Sequence, residues 1–443
     1  MRLAWFSPLP PAATGVASYS ADLLRLLDTS GLDIDRYEHS NAHEFVWRSR
    51  RSPYELVVYQ MGNSSWHDFM WAYLFHYPGL VVLHDARLHH ARATCLLRER
   101  RVDDYRREFA YNHPQADEAA AEYVSEGLRG AGFYLWPMVR AVVESARVIA
   151  VHNQFVAEEL RETYPRTRIE RIRLGVPEMT PSADGRERLR RQLNIPADSI
   201  VFVAFGLMTT EKRIDPILRA FSAITQQKSG GSAPHLVLVG ANLLTSLDAV
   251  LAELPGADRV HVTGRIAEEL IPDYLAAGDI SLSLRWPTAQ ETSAAWAKSL
   301  SASKPTIITA LPHTADVPSL DARTWRPTSR SREPIAVSVD LLSEDESLFA
   351  AMTRLAEDGE LRQRIGRAGH EYWKHEHDVN VMATDYRRLI AEAARTPAPL
   401  PPGLPQHLTN DYSALSTSIA REMGIDLDVR LKPDTTGISG RRR

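Results

Sequence analysis

Short, strongly apolar runs recur along this chain, each closed by a glycine or a polar loop and followed by a longer amphipathic stretch, and few folds accommodate that rhythm. Runs so short and so free of alternation are strands covered on both faces, which implies a parallel sheet sandwiched between helices. Leu3 to Phe6 is the first, ending in the loop Ser7-Pro8-Leu9-Pro10-Pro11-Ala12-Ala13-Thr14-Gly15. A helix follows from near Val16, with Tyr19, Leu23, Leu24, Leu26 and Leu27 close to one face. Leu56 to Tyr59, Leu80 to Leu83, Val148 to Val151 and Ile169 to Leu174 read as further strands, and the Arg-, Glu- and Ala-rich Ala91 to Tyr134 as helical.

A second series of the same kind begins after Pro177 to Pro196, whose Pro, Ser, Asp, Gly and charges mark a linker and an entry helix. It comprises strands at Ile200 to Phe205, Leu236 to Val239, Val260 to Val262, Ile280 to Leu284 and Thr306 to Thr309, with a helix from Ile214 to about Thr225. Helical periodicity returns from Leu348 to Ala394, and five prolines between Pro397 and Pro405 then stop any helix. The expected division is an α/β domain over 1–177, a second over 178–375, a terminal helix over 376–395 returning towards the first, and a Pro-rich tail over 396–443, mobile or wrapped over the surface. Two doubly wound domains imply a central cleft, with ligands outside the carboxyl ends of the strands.

Composition narrows the function. The 443 residues carry 52 Lys and Arg against 56 Asp and Glu, 52 − 56 = −4, which argues against a dedicated nucleic-acid binder. A single cysteine, Cys95, forms no internal disulfide and fits a reducing compartment. No uncharged apolar run reaches the roughly 18 residues of a membrane span, and the start is broken too soon by Pro8 for a secretory signal. The expected location is cytoplasmic. The basic stretches Arg48, Arg50, Arg51 and Arg98, Arg100, Arg101, Arg106, Arg107 read first as solvated helix faces. The alternative is peripheral attraction to the anionic inner face of a membrane.

Three segments carry chemistry. Gly206-Leu207-Met208-Thr209-Thr210-Glu211-Lys212-Arg213-Ile214 places Lys212 and Arg213 at a helix start, where cations oppose the dipole unless they share an anion such as a diphosphate. The bland alternative is a solvated basic pair. Leu284-Arg285-Trp286-Pro287-Thr288-Ala289-Gln290-Glu291-Thr292-Ser293 precedes an Ala-rich helix from about Ala294. Thr292 and Ser293 suit an N-cap or a phosphate, and Glu291 suits either a first-turn acid or a set of sugar hydroxyls. Val81 to His90 sets His84 and Asp85 at a strand's carboxyl end, with His84 the favoured hydrogen-bonding group in the cleft and His89 and His90 structural or partly exposed. A metal site is the sharper rival there, but no second cluster supplies distant ligands. Phosphate-loop, Gly-x-Gly-x-x-Gly and Gly-x-Ser-x-Gly signatures are absent.

Together these segments resemble retaining glycosyltransferases of the group 1, or family 4, class. The matching residues are Ser7-Pro8-Leu9-Pro10-Pro11 with Thr14 to Tyr19, Val82-Leu83-His84-Asp85, Leu174-Gly175-Val176-Pro177, Phe205-Gly206 with Lys212-Arg213, Gly264-Arg265-Ile266, and Arg285 to Thr288 with Glu291-Thr292-Ser293. The resemblance implies the GT-B fold, two Rossmann-like domains facing a cleft, with the first on the acceptor side and the nucleotide sugar held mainly by the second. It implies that Lys212, with Arg213 as helper, binds the donor diphosphate, and that Glu291 contacts donor-sugar hydroxyls. Thr292 and Ser293 then meet the diphosphate through backbone amides. Gly15 lets the first domain approach the donor beside Gly206 and Arg285, His84 bonds the transferred sugar, and Arg265 and Ile266 grip the base. Two departures stand out: neither Lys298 nor Ser299 is the second glutamate of the family motif, and Leu207 replaces an arginine.

The implied activity is transfer of a hexose from a nucleotide diphosphate sugar to a glycan or lipid-linked hydroxyl, with retention, without metal and with no resident cofactor. Bacterial polysaccharide assembly is the family setting. The alternatives are a sugar-nucleotide epimerase on the same fold, a non-catalytic nucleotide-sugar-binding homologue and a metal-dependent hydrolase.

Overall fold

A computed structural model describes residues 1–424 except 118, 128–129, 131, 228–232 and 411–412. The first half of the chain forms a six-stranded sheet from β1 (Arg2–Phe6), β2 (Asp33–Tyr37), β3 (Leu56–Met61), β4 (Leu80–Leu83), β5 (Val148–Val151) and β6 (Ile169–Arg171), in the order β2-β1-β3-β4-β5-β6. The second half forms a seven-stranded sheet from β7 (Val201–Phe205), β8 (His235–Val239), β9 (Val260–Val262), β10 (Ile280–Ser283), β11 (Thr306–Thr309), β12 (Ser319–Asp321) and β13 (Ala336–Val339), in the order β12-β13-β11-β10-β7-β8-β9. Every strand pairing is parallel. Central strands such as β3 and β4 are buried along their whole length, which is why their sequences read as unbroken apolar runs.

Three strands escape that reading. The edge strand β2, Asp-Ile-Asp-Arg-Tyr, is half exposed and charged, and β12 and β13 carry serines on buried faces. Ser319 and Ser338 satisfy each other through a 3.1 Å hydrogen bond, so their polarity costs little inside. Strand β6 is shorter than the run Ile169 to Leu174 suggests, because the chain beyond it is held by the C-terminal helices. His377 Nδ1 donates to Leu174 O at 2.8 Å, and Val176 N donates to His377 O at 2.8 Å.

The strand order reverses between β1 and β3 in the first sheet and between β7 and β10 in the second, where β13 also inserts between β11 and the edge strand β12. Adjacent loops diverge there to opposite faces and leave a crevice at the carboxyl ends. The two halves are joined by more than the linker. One buried cluster runs from Leu3, Trp5 and Val58 of the first sheet through Trp296, Leu300 and Ile308 of the second half to Trp373, Met382, Leu389 and Ile390 of the helices Gly359–Glu376 and Val379–Arg395. The last of these helices packs on Gly15–Leu27. Arg173 grips Asp385 with Nε at 2.8 Å and NH2 at 2.7 Å. A Cβ added to Gly175 would lie 2.7 Å from Val379 Cα, so glycine permits the close approach.

The stretch Pro397–Pro405 is free of helix, as its prolines require, but helices follow it at Gln406–Thr409 and Ser413–Glu422. The tail lies on the first half: Leu408 is buried and His407 Nε2 bonds Glu108 Oε1 at 2.7 Å. Residues 425–443 of the expected tail lie outside the described residues. Among the described residues no helix is long and apolar enough to cross a membrane.

Leu389 is fully buried in the cluster that unites the halves. Leu389→Ala is expected to lower the unfolding free energy by about 2–5 kcal/mol, measured by urea denaturation. A loss below about 0.5 kcal/mol, the size of an ordinary surface substitution, would contradict this docking.

Candidate functional site

The crevice between β7 and β10 gathers the charged residues. Gly206, at φ +116°, ends β7, and a Cβ there would sit 3.2 Å from Lys212 Nζ. Glycine thus lets Lys212 fold back over the strand end, where Nζ donates to Phe205 O at 3.2 Å. Burial, and then the Arg285 guanidinium, push Lys212 down to about 7, with Glu291 opposing the shift. The loop after β10 is tied to this one by Trp286 N, which donates to Glu211 O at 2.8 Å. Within it Arg285 Nε pairs with Glu291 Oε1 at 2.7 Å, and Thr288 Oγ1 donates to Glu291 Oε2 at 2.9 Å. Gln290 holds a left-handed φ of +62°, a strain that turns the chain sharply just before Glu291. Its Oε1 is buried without a hydrogen-bond partner.

The first half roofs this crevice. Ala86 N donates to Ala289 O at 2.9 Å, Asn153 Nδ2 to Gln290 O at 3.1 Å, and Tyr134 OH to Glu211 Oε1 at 2.9 Å. Asp85 is held by Asn63 N, which donates to its Oδ2 at 2.7 Å. Burial and the facing Glu291 carboxylate raise Asp85 well above the ordinary carboxylate range. Lys212, Arg285, Glu291 and Asp85 therefore form one electrostatic unit drawn from both halves. Arg285, Glu291, Thr292 and Ser293 also line a crevice of about 80 Å³ with His152 and His313.

The remaining expected residues fall into two groups. Gly15 opens its helix with nothing within 4 Å of an added Cβ, so the space before it is free. Thr292 and Ser293 precede the helix Ala294–Ser301, and Ser293 Oγ accepts from Trp296 N at 3.2 Å, which makes it the N-cap. Ile266 packs near Phe205, and Arg265 beside it is exposed. Arg213, implied as a helper at the diphosphate, has a carboxylate partner within the second half. It adopts φ +57°, and its guanidinium is bound to Glu344, with Nε at 2.9 Å from Oε1.

His84 Nε2 donates to Gln60 Oε1 at 2.8 Å and its Nδ1 faces His152 Nε2 at 3.3 Å. Burial, with His152 and His67 nearby, keeps it neutral, its pKa well below the usual histidine value. Gln60 Nε2 in turn donates to Tyr386 OH at 3.1 Å, and the Tyr386 and Tyr19 hydroxyls bond at 2.8 Å. The neighbouring Asp85, read in the sequence with His84 at the strand's carboxyl end, is the group that faces Glu291. Side chains of successive residues leaving a strand diverge, and that alternation was the available signal.

Lys298, at one position where a second glutamate is implied, donates to Glu268 Oε1 at 2.8 Å, and Ser18 Oγ of the first half donates to Glu268 Oε2 at 2.6 Å. Ser299 is fully buried against Ser281 at 2.8 Å. His89 is buried on Tyr105 OH at 2.9 Å and His90 is exposed. Among the described residues no three His, Cys, Asp or Glu side chains converge as a metal-ligand set.

No family model matches this chain, and no curated sequence is similar to it. Solved structures are. Sucrose-phosphate synthase from Thermosynechococcus elongatus matches over 88% of this chain and 100% of its own, with TM-score 0.62 and 17% identity. WaaG, a glycosyltransferase involved in lipopolysaccharide biosynthesis, matches over 88% and 99% with TM-score 0.58 and 12% identity. Anabaena HepE in complex with UDP-glucose matches over 88% and 100% with TM-score 0.58 and 13% identity. The two facing parallel sheets have the GT-B architecture.

Because folding lowers the Lys212 pKa, the folded chain holds fewer protons than the unfolded chain between about pH 7 and the ordinary lysine value of 10.5. Stability attributable to this group therefore rises with pH across that window. Lys212→Met removes the titration. Urea unfolding is expected to show the variant gaining most over the native chain at pH 7, with the difference closing towards pH 10. A difference constant over that range would refute the assignment.

Proposed function

We propose that this chain is a retaining glycosyltransferase that moves a hexose from a nucleoside diphosphate sugar to a hydroxyl of a glycan or lipid-linked acceptor. The observation that carries the reading is Lys212 folded back over the end of β7, beside the Arg285–Glu291 pair at the strand-order reversal of the second sheet. Desolvation and the Arg285 guanidinium outweigh Glu291 at Lys212, and a diphosphate placed against it supplies the further negative charge. The complex of the similar HepE fold with UDP-glucose makes UDP the donor nucleotide to try first.

In this reaction the bond from the anomeric carbon to the diphosphate oxygen breaks as the acceptor oxygen bonds the same carbon. The acceptor proton passes to the departing diphosphate. Lys212, Arg285 and the free amides at the start of Ala294–Ser301 stabilise the charge that collects on the leaving group, without a divalent metal. Glu291 retains lone pairs beyond its bonds to Arg285 and Thr288 and accepts from sugar hydroxyls. Asp85, its pKa raised by burial and by Glu291, bonds the sugar from the opposite wall. His84 is a positioning residue: it locks the strand end that carries Asp85. Contact between the two halves excludes water and limits hydrolysis.

Lys212→Ala and Glu291→Ala are each expected to reduce transfer by about 10²–10³-fold, with chelator leaving the native rate unchanged. UDP should raise the Lys212 pKa on binding. Calorimetry at pH 8 in buffers of different ionisation enthalpy is expected to show proton uptake that Lys212→Met abolishes. Native transfer rates in both alanine variants, or UDP binding without proton uptake, would overturn the reading.

A further inference from the structure

Six histidines are buried among the described residues, and five of them hold a hydrogen bond. His67 Nδ1 lies 2.8 Å from Gln60 O, His89 Nε2 2.9 Å from Tyr105 OH and His377 Nδ1 2.8 Å from Leu174 O. His152 faces His84 at 3.3 Å and His235 faces His261 at 3.0 Å. His313 is the sixth. It is only 7% exposed, yet neither ring nitrogen has a hydrogen-bond partner among the described residues. Neither nitrogen is sealed in by protein, as Nδ1 of His89 is. The ring therefore meets open space, and that space is the crevice it lines with Arg285, Glu291, Thr292 and Ser293.

A pinned turn presents this side chain. Pro312–Thr314 follows β11, and Thr314 Oγ1 accepts from Leu311 N at 3.0 Å and lies 3.0 Å from Thr309 O, which ties the turn down around His313. The helix Gln154–Thr163 of the first half packs on the same turn, so contact between the halves sets where the imidazole stands. Burial lowers the His313 pKa; Glu291 opposes this and Arg285 adds to it. Near neutral pH the ring is uncharged, with one donor and one acceptor. Such a ring adds little at a diphosphate, which Lys212 and Arg285 meet with charge. A hydroxyl, itself both donor and acceptor, matches it on both counts. The remaining wall, with Trp296, Ile308, Leu311 and Val317, is apolar and suits the C–H faces of a sugar ring. The crevice measures about 80 Å³, against roughly 10–15 Å³ for one water, which leaves room for a polar ring in place of several waters.

We propose that His313 is a sugar-binding residue that sets donor specificity: its imidazole exchanges hydrogen bonds with a hydroxyl of the hexose that Glu291 also holds. The proposal deepens the transferase reading and rests on it. Calorimetry on the full chain compares UDP, ADP and GDP with UDP-glucose, ADP-glucose and GDP-mannose. For the nucleotide that binds, His313→Ala is expected to weaken the hexose form by about three- to tenfold, the size of one neutral hydrogen bond, with the free nucleotide unchanged. His313→Asn, which keeps a donor and an acceptor, should recover part of the loss. His313→Phe, which keeps only the bulk, should recover none. Equal weakening of nucleotide and nucleotide sugar by His313→Ala, unaltered binding of both, or full recovery by His313→Phe would overturn the proposal and leave the transferase reading standing. Failure of the native chain to bind any of the three nucleotides would instead sink that reading, and the proposal with it.

Discussion

The helix Val379–Arg395 sits against the first sheet although the chain enters it from the second half, and the cleft exists because of that contact. Its Met382, Leu389 and Ile390 share a core with Leu3, Trp5 and Val58, so the two halves cannot separate along this seam without exposing apolar surface. The polar counterpart is equally buried. Tyr386 bonds Gln60 and Tyr19, and Gln60 bonds His84, so the crossing helix is coupled through three hydrogen bonds to the strand end that presents Asp85. Every member of this network has a partner, which is the condition under which buried polar groups specify one arrangement.

Across the cleft the same logic runs in reverse. Lys212 and Asp85 are each held away from their ordinary ionisation by burial, and Glu291 lies between them with Arg285. The unit draws its charged groups from both halves and holds them close together where water solvates them poorly.

Much of this was legible in the residues. The buried strands declared themselves because both faces are covered, and Gly206, Lys212 and the Arg285–Ser293 loop stand at carboxyl ends where a doubly wound sheet puts its ligands. What the pattern hid were strands whose burial is partial or polar, such as β2 and β12. It also hid side chains whose partners are far along the chain. Arg213 read as a phosphate ligand until Glu344, on a helix beginning 131 residues later, was found to hold it. His84 read as a cleft residue, and the local pattern gave no sign of the Gln60 and His152 side chains that face its two nitrogens.

The amino-acid sequence by itself determined the two parallel sheets, the crevices at their carboxyl ends and the cations and carboxylate that line one of them, because these follow from local periodicity and from residues adjacent in the chain. Only the tertiary structure decided which of those groups stay available. A guanidinium or an imidazole takes whatever partner folding brings within 3 Å or so, and for Arg213, His84 and Lys298 that partner came from another segment. Asp85 acquired its raised pKa in the same way, through burial and a carboxylate from the opposite half that no local pattern could announce.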